Sequence, residues 1–352
     1  MTASGTASAW ISFVAYPGEL PMFNGGAGIS VTGTYLSFNG IASLNASSGF
    51  ANMWTGDGTT DSDGHLEFVN CIADLNTANG IAFHSATGVH VGQCIVAHNG
   101  ASTTNSWSSG VDIFGAQGTP ADNVVERTVS FENVDNQEHT DGSGFIFDDI
   151  GTGGTFVNNI GFRNGGSCIR LTTSVNSVIL NNSCYHDGLD SMATSPQDPG
   201  EIFFSSAQTL MGAVLQNNLA AADGYNGTQA AFNDTGSLAI APTNYGVNAG
   251  AATPFFNDPA GVSPDFRLTS SAGSNIVGAG STANGAPTSD IGFNPSCVTS
   301  GAPTGNTTSL TLPTWWIYSV DYSYIQSSGG VAAACFNPSP RTGSPDLGAY
   351  QH

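Results

Sequence analysis

Lysine is absent from this chain of 352 residues, and its five basic residues are all arginines (Arg127, Arg163, Arg170, Arg267, Arg341). Against 26 acidic residues they leave a formal charge of −21. Nucleic-acid binders neutralise phosphates with Lys and Arg, and anionic membrane surfaces are bound by the same residue types. Both partners are excluded by the shortage. No apolar run approaches the roughly 18 residues needed to span a bilayer. Charged residues make up only 9% of the chain, where about 25% is usual. Helical surfaces rely on Glu, Lys and Arg, so a mostly non-helical protein is expected. The six cysteines show no spacing typical of zinc ligands. The opening MTASG lacks the charged and apolar regions of a secretory leader, which is therefore absent or already removed.

What the chain does have is 46 glycines and 39% apolar residues, a strand-and-turn composition that argues against disorder. The composition favours a secreted protein.

One pattern recurs: a short apolar strand, a polar residue, another short strand, then Asn or Asp. It reads FVNCIADLN (68–76), VGQCIVAHN (91–99), VERTVSFEN (125–133), FVNNIGFRN (156–164), ILNNSCYHD (179–187) and VLQNNLAAAD (214–223). The equivalent polar residues Asn70, Gln93, Arg127, Asn158, Asn181 and Asn217 are spaced by 23, 34, 31, 23 and 36 residues. A further strand closes each unit, with inward pairs Ile81/Phe83, Val111/Ile113, Phe145/Phe147, Ile169/Leu171 and Ile202/Phe204 at period two. Such a unit cannot bury its stripe alone, whereas stacked units do so continuously. The period is too short for crossover helices, so the predicted fold is all-β: a single-stranded parallel β-solenoid with coils of about 23 residues and a rise near 4.8 Å. Residues 1–250 are read as coils. Residues 251–352 are read as C-terminal coils of the same domain plus an aromatic segment, PTWWIYSVDYSY (313–324), that caps the open end of the core.

The chain also resembles the right-handed parallel β-helix proteins of the pectate-lyase-like superfamily. The resemblance lies in ASAWISFVAYPGELPMFNG near the start, PFFNDPAGVSPDFRLTSSAGSNIVGAG (254–280) and SPDLGAYQH (344–352). It implies the fold and leaves the reaction open, because this architecture serves many chemistries. HTDGSGFIFD followed by NGGSCIRL resembles a stretch of one pectate lyase family, Asp-Gly-Phe-x-x-Lys and then Asp-Asp-Gly-x-Asp. There the Lys is the base and the aspartates hold calcium. In this chain Asp148 matches the Lys, Arg170 the last aspartate, and Gly166 and Ser167 lie near the paired aspartates.

The longer coils carry their extra residues at one place, in segments 100–109, 134–143 and 188–199. Insertions on one face of a repeat protein commonly form its binding face. Coil 155–176, which has none, is expected to be the floor of a groove walled by these loops, shaped for an extracellular polysaccharide.

Arg170 and Arg163 are candidates to neutralise a uronate carboxylate. Asp112, Asp141, Asp148 and His139 are the candidate proton carriers. Trp107 would serve as a sugar platform, with Glu132, His186 and Asn105 as further substrate contacts. Asp148 and Asp149 would take Ca²⁺ if any cofactor is used. The leading expectation is a polysaccharide lyase acting by β-elimination. The alternatives are a glycoside hydrolase using paired carboxylates and a non-catalytic glycan-binding, adhesive or self-assembling solenoid. A monomer is expected. Cys71 and Cys94 share a register in adjacent coils and read as a disulfide or a thiol ladder, and Cys297 and Cys335 read as the better disulfide pair.

Overall fold

The computed structural model describes all residues except 1–2, 53–63, 86, 105–106, 116–117, 120, 149–150, 194–199, 206–211, 223–229, 235–242, 248–254, 270, 304–311, 342–343 and 351–352. Three parallel sheets run along the chain. The first extends from Ile11–Val14 to Val214–Gln216, the second from Met22–Asn24 to Tyr245–Val247, and the third from Ile29–Val31 to Ala230–Asp234. Each coil adds one strand to each sheet, and the register is unbroken from coil to coil; Phe38, for example, pairs with Phe68, which pairs with Val91. This is the predicted solenoid.

The corners explain the polar columns. Between the first and second sheets the chain turns in two residues, which requires a left-handed backbone at the first. Asn70, Gln93, Arg127, Asn158, Asn181 and Asn217 all have φ between 47° and 59°. Asn tolerates that region better than most residues. A second left-handed column, Leu75, His98, Glu132, Arg163 and His186, lies at the next corner.

Just beyond it the amides of Asn76, Asn99, Asn133 and Asn164 form a buried ladder. Each Nδ2 donates to the next coil's Oδ1 at 2.7–2.9 Å, and Asp187 is the last acceptor. Asn133 also accepts from the Asn99 backbone N–H at 3.1 Å. Its replacement by Ala removes the acceptor shared by the Asn99 backbone and side-chain N–H groups and one of the donors to Asn164 Oδ1, at roughly 1–3 kcal/mol for each group left unsatisfied. Asn133→Ala is therefore expected to lower the melting temperature far more than loss of an exposed Asn would, as calorimetry would show.

The second sheet departs from simple alternation. Its strands are buried on both faces, as in Ile72–Asp74 and Ile95–Ala97. The inner face joins the solenoid core through Ala73, Val96 and Ala220. The outer face, with Ile72, Ile95, Val129 and Ile160, packs against the C-terminal segment through Phe255, Phe266, Tyr318 and Leu347. Trp316 lies over Leu75, Ala101 and Val134. The aromatic segment 313–324 thus straps the side of the solenoid, and the expectation that it caps the open end is corrected. The reason is the outward apolar column of the second sheet, which has to be covered somewhere.

Two disulfides are present among the described residues, Cys168–Cys184 and Cys297–Cys335. The second was expected and the first was not. Cys71 and Cys94 are buried free thiols, because side chains at one register point the same way along the core.

Candidate functional site

The third sheet carries the polar face that faces away from the core. Its central outward column is Ala82, Asp112, Ile146, Arg170 and Phe203, in the register expected from the sequence. Two residues further along, His84, Phe114 and Asp148 are aligned on neighbouring strands. The central column is nearly buried, with Asp112 and Arg170 each 5% exposed. The parallel column of His84, Phe114, Asp148 and Thr172 is half-buried and forms a strip along the solenoid axis.

Arg170 does not project freely. Its Nη1 donates to Asp141 Oδ1 at 2.8 Å and to the Thr140 carbonyl, and its Nε donates to Thr172 Oγ1 at 3.1 Å. Loop 134–143 therefore closes over it, held in turn by Asp135. The Oδ2 of Asp135 accepts from the Thr140 N–H and hydroxyl, both at 3.3 Å, and from the Asp141 N–H at 3.4 Å.

Asp112 sits two coils away on the same column. Its Oδ2 accepts from Asn79 Nδ2 at 3.3 Å, while its Oδ1 is buried without a hydrogen-bond partner. Burial pushes its carboxyl well above the usual range, reinforced by the negative charges of Asp148 and Asp141. Arg170 and the Asn79 amide oppose the shift and do not cancel it. Asp112 thus binds its proton more tightly than an exposed carboxyl does, beside carboxylates that favour the protonated form.

The expected groove is different in form. The uninserted coil turns at Gly165–Gly166, and the flanking loops pack directly on that corner. Gly166 N–H donates to the Gly142 carbonyl, and the Gly188 and Asp190 N–H groups donate to the Gly166 and Gly165 carbonyls. A Cβ on Gly166 would lie 2.2 Å from the Asp141 carbonyl. His139 Nδ1 and Asp190 Oδ2, 2.7 Å apart, join the two loops across the coil. The expectation of an open floor at coil 155–176 is therefore corrected: the loops stack into one wall, and the accessible surface is the strip beside it. His139 belongs to that wall.

Three other expected residues lie elsewhere. Glu132 is fully buried. It accepts from Arg163 Nε at 3.1 Å, from the Ile317 N–H at 2.9 Å and from the Tyr318 N–H at 3.2 Å. Arg163 also donates to the Trp315 carbonyl at 2.7 Å. Both are structural residues under the C-terminal strap, which corrects their assignment to substrate. His186 occupies the same corner column, beside Tyr185, and likewise is not on the strip. Trp107 is 62% exposed on its loop, free to meet a ligand. Asn105 and Asp149 lie outside the described residues.

Two contributors were missed from the sequence, Asn79 and Thr140. Asn79 had a signal: the strand register places it in line with Ser109, Ser143 and Ser167 of the following coils. It also accepts from the Ser109 N–H. It is the one amide in a column of hydroxyls. Thr140 acts through its backbone carbonyl, which no side-chain pattern reveals.

Calcium takes six to eight oxygen ligands. Among the described residues no three His, Cys, Asp or Glu side chains group to hold a metal. The positions matching a calcium-binding aspartate pair are Gly166 and Ser167, and the Arg170 guanidinium stands where a third would be. These residues do not fit the ion.

Comparison with protein-family models and with curated proteins finds no match. Among solved structures, the chain is similar to the crystal structure of pectate lyase Pel9A, over 82% of this chain and 79% of that one, with 15% identity and a TM-score of 0.51. At that identity the likeness speaks for the fold. Three parallel sheets, left-handed corners, buried amide ladders and this likeness together give the chain a right-handed parallel β-helix fold, the fold it shares with pectate lyase Pel9A.

Proposed function

We propose that the protein is a secreted polysaccharide-active enzyme that cleaves glycosidic bonds along the strip of the third sheet, with Asp112 as proton donor and Asp148 as its carboxylate partner. The observation that carries this reading is Asp112. It is a buried acid whose proton affinity is raised by burial and by Asp148 and Asp141, with one oxygen lacking a partner. Pairs of carboxyls whose surroundings push their affinities for the proton apart divide acid and base work between them.

Asp148 lies one strand over and two residues along from Asp112. Strand spacing and rise place the two Cα atoms about 8 Å apart. Inverting hydrolysis uses carboxyls roughly 6.5–9.5 Å apart, so that a water fits between carboxylate and sugar. Asp112 would protonate the leaving oxygen while Asp148 draws a proton from that water. Phe114 and His84, with ring centres 5.4 Å apart, and the exposed Trp107 offer apolar faces to sugar rings. The two disulfides support an oxidising, extracellular setting.

β-Elimination is the second reading, favoured by the likeness to pectate lyase Pel9A. Against it, the chain has no lysine to act as base, and Arg170 is already engaged by Asp141.

A polysaccharide panel assayed both for reducing ends and for the ultraviolet absorbance of unsaturated products separates the two. Reducing ends without that absorbance are expected. Absorbance appearing with them would establish elimination instead, and binding without any cleavage would make the protein a non-catalytic receptor.

A further inference from the structure

A second concave surface, about 1100 Å³ in volume, lies in the C-terminal segment. Sites for small ligands run to roughly 300–1,000 Å³, so the space is ample for one. Its walls are the chain around 290–295 and the short helix Val331–Cys335 with the residues that follow it. Phe293, Phe336 and Tyr350 in those walls belong to the core packed on the second sheet, and no lining residue comes from the strip of the third sheet. The walls are fixed to one another. The Cys297–Cys335 disulfide joins them, and the Asn337 N–H donates to the Gly292 carbonyl at 2.8 Å. The Asp290 N–H donates to the Ser339 carbonyl at 2.9 Å, and the Ser339 N–H returns a bond to Asp290 Oδ1 at 2.7 Å. A preformed cleft spares its ligand the cost of ordering it. Polar groups of both kinds are left over there. Arg267 has 61% of its side chain exposed, whereas the other four arginines are buried or half-buried. Asp265 accepts from its Nε at 2.8 Å and from its Nη2 at 2.5 Å, which fixes the guanidinium. The remaining Nη1 bonds to none of the described residues. Asp290 Oδ2 likewise bonds to none of them, and Asn337 and Ser339 are exposed. Leu268, Pro295, Ala332 and Ala333 supply apolar surface to the same cleft.

We infer that this cleft is a second glycan site, which takes an uncharged sugar unit of a polysaccharide and binds it without cleaving it. A sugar hydroxyl donates and accepts at once, so Arg267 Nη1 and Asp290 Oδ2 can each hold one in a charge-assisted hydrogen bond. The apolar surface between them suits the C–H face of the ring. A uronate carboxylate would meet Asp290, and an ammonium would meet Arg267, so a neutral unit fits better than either. Glycosidic cleavage uses two carboxyls, and Asp290 is the one carboxylate among the lining residues. The inference stands whether or not the strip cleaves.

The experiment uses the full chain carrying Asp112→Asn, so that cleavage at the strip is blocked. The probes are oligosaccharides of β-glucan, xylan and galactan, with oligogalacturonate and a chitosan oligomer as the charged counterparts. Calorimetry measures binding, and amide hydrogen exchange locates it. At least one uncharged probe is expected to bind and to slow exchange at 290–295 and 332–339, with the charged probes at least about 10-fold weaker there. Ala333→Trp fills the cleft from an exposed helix position and leaves the Arg267–Asp265 pair in place. Arg267→Gln removes the charge-assisted bond. Each is expected to weaken that binding at least about 10-fold and to abolish the slowing. Protection confined to the third sheet, or full affinity in either variant, would overturn the site. Tighter binding of a charged probe at the cleft would overturn the ligand class. Failure of every uncharged probe to bind would overturn the inference as a whole and leave the strip to be judged by its products.

Discussion

Asp112→Asn is expected to lower glycan cleavage by about 10²–10⁴-fold, the usual contribution of a positioned general acid, while leaving the solenoid folded. Asparagine keeps the shape and an oxygen for Asn79 Nδ2, so the polar contact at 3.3 Å can persist. What is lost is the transferable proton. The same substitution has a second, opposite signature in stability. Because burial, Asp148 and Asp141 raise the Asp112 pKa in the folded state, the native protein holds a proton that the unfolded chain releases above its ordinary value of 3.8. Native stability therefore falls as pH rises from that value through the raised one. Asp112→Asn removes this term, so the variant should melt at or above the wild-type temperature at neutral pH and show a flatter dependence on pH. An inactive yet stabilised variant is the pattern of a residue kept for chemistry. Wild-type activity in the variant would end the assignment of Asp112 as the acid. A large fall in melting temperature would show that its role is to hold the fold.

Removing Glu132 should produce the largest loss of stability in the molecule. Its carboxylate, with no exposed surface, sits between His98 Nε2 at 3.2 Å, Arg163 and the backbone of the C-terminal strap. His98 in turn faces Asp74 at 2.6 Å, and Tyr322 donates to the other oxygen of Asp74 at 2.6 Å. Breaking a buried pair leaves an uncompensated charge and costs roughly 3–5 kcal/mol. Glu132→Ala is expected to lose that much in denaturant unfolding and to speed amide exchange around 315–320, where the strap lies. The network also sets a pH dependence. Burial alone would lower the pKa of His98, but Asp74 and Glu132 outweigh it and push it up to about 9 from 6.5. A rise of that size corresponds to about 3 kcal/mol of stabilisation, fully present below pH 6.5 and lost as pH climbs through 9. Melting temperatures measured across that window should fall in the wild type and stay nearly level in His98→Gln. A flat wild-type profile would mean that His98 is neutral in the folded state.

The coils were legible because strand periodicity and corner chemistry are local. Ile81/Phe83 and Val111/Ile113 declare their inward face two residues at a time, and the Asn columns mark corners where an L-residue must turn left-handed. The column of Asp112 and Arg170 followed from the same register. Coverage was not legible. Glu132 and Ile317 are 185 residues apart, and nothing in the coil sequence says which outward column the returning chain will bury. Glu132 and Arg163 thus had the look of a polar binding face when they are the underside of a strap. The loop wall was misread for a related reason: the Gly165–Gly166 corner reads as an open floor until the loops on either side are seen to bond through its backbone. Tight glycine corners between longer loops are better read as places of contact.

The amide ladders have a direction. In the column from Asn76 to Asp187, and again from Asn159 through Asn182 and Asn218 to Asn244, every amide carbonyl after the first accepts from the earlier coil's amide. One N–H of each amide short of the end donates to the later coil, the other N–H donating to a backbone carbonyl of the earlier coil. Amide dipoles aligned head to tail add, as they do along a helix. The solenoid therefore carries a field along its axis without a helix to generate it, and the positive end of the longer ladder meets Asp187. Burial raises the pKa of that carboxyl to about 6, while the Asn164 amide and backbone N–H groups favour its charge. The ladder ends where an oxygen replaces the next nitrogen, so a single atom marks the last rung of an axial wire of dipoles.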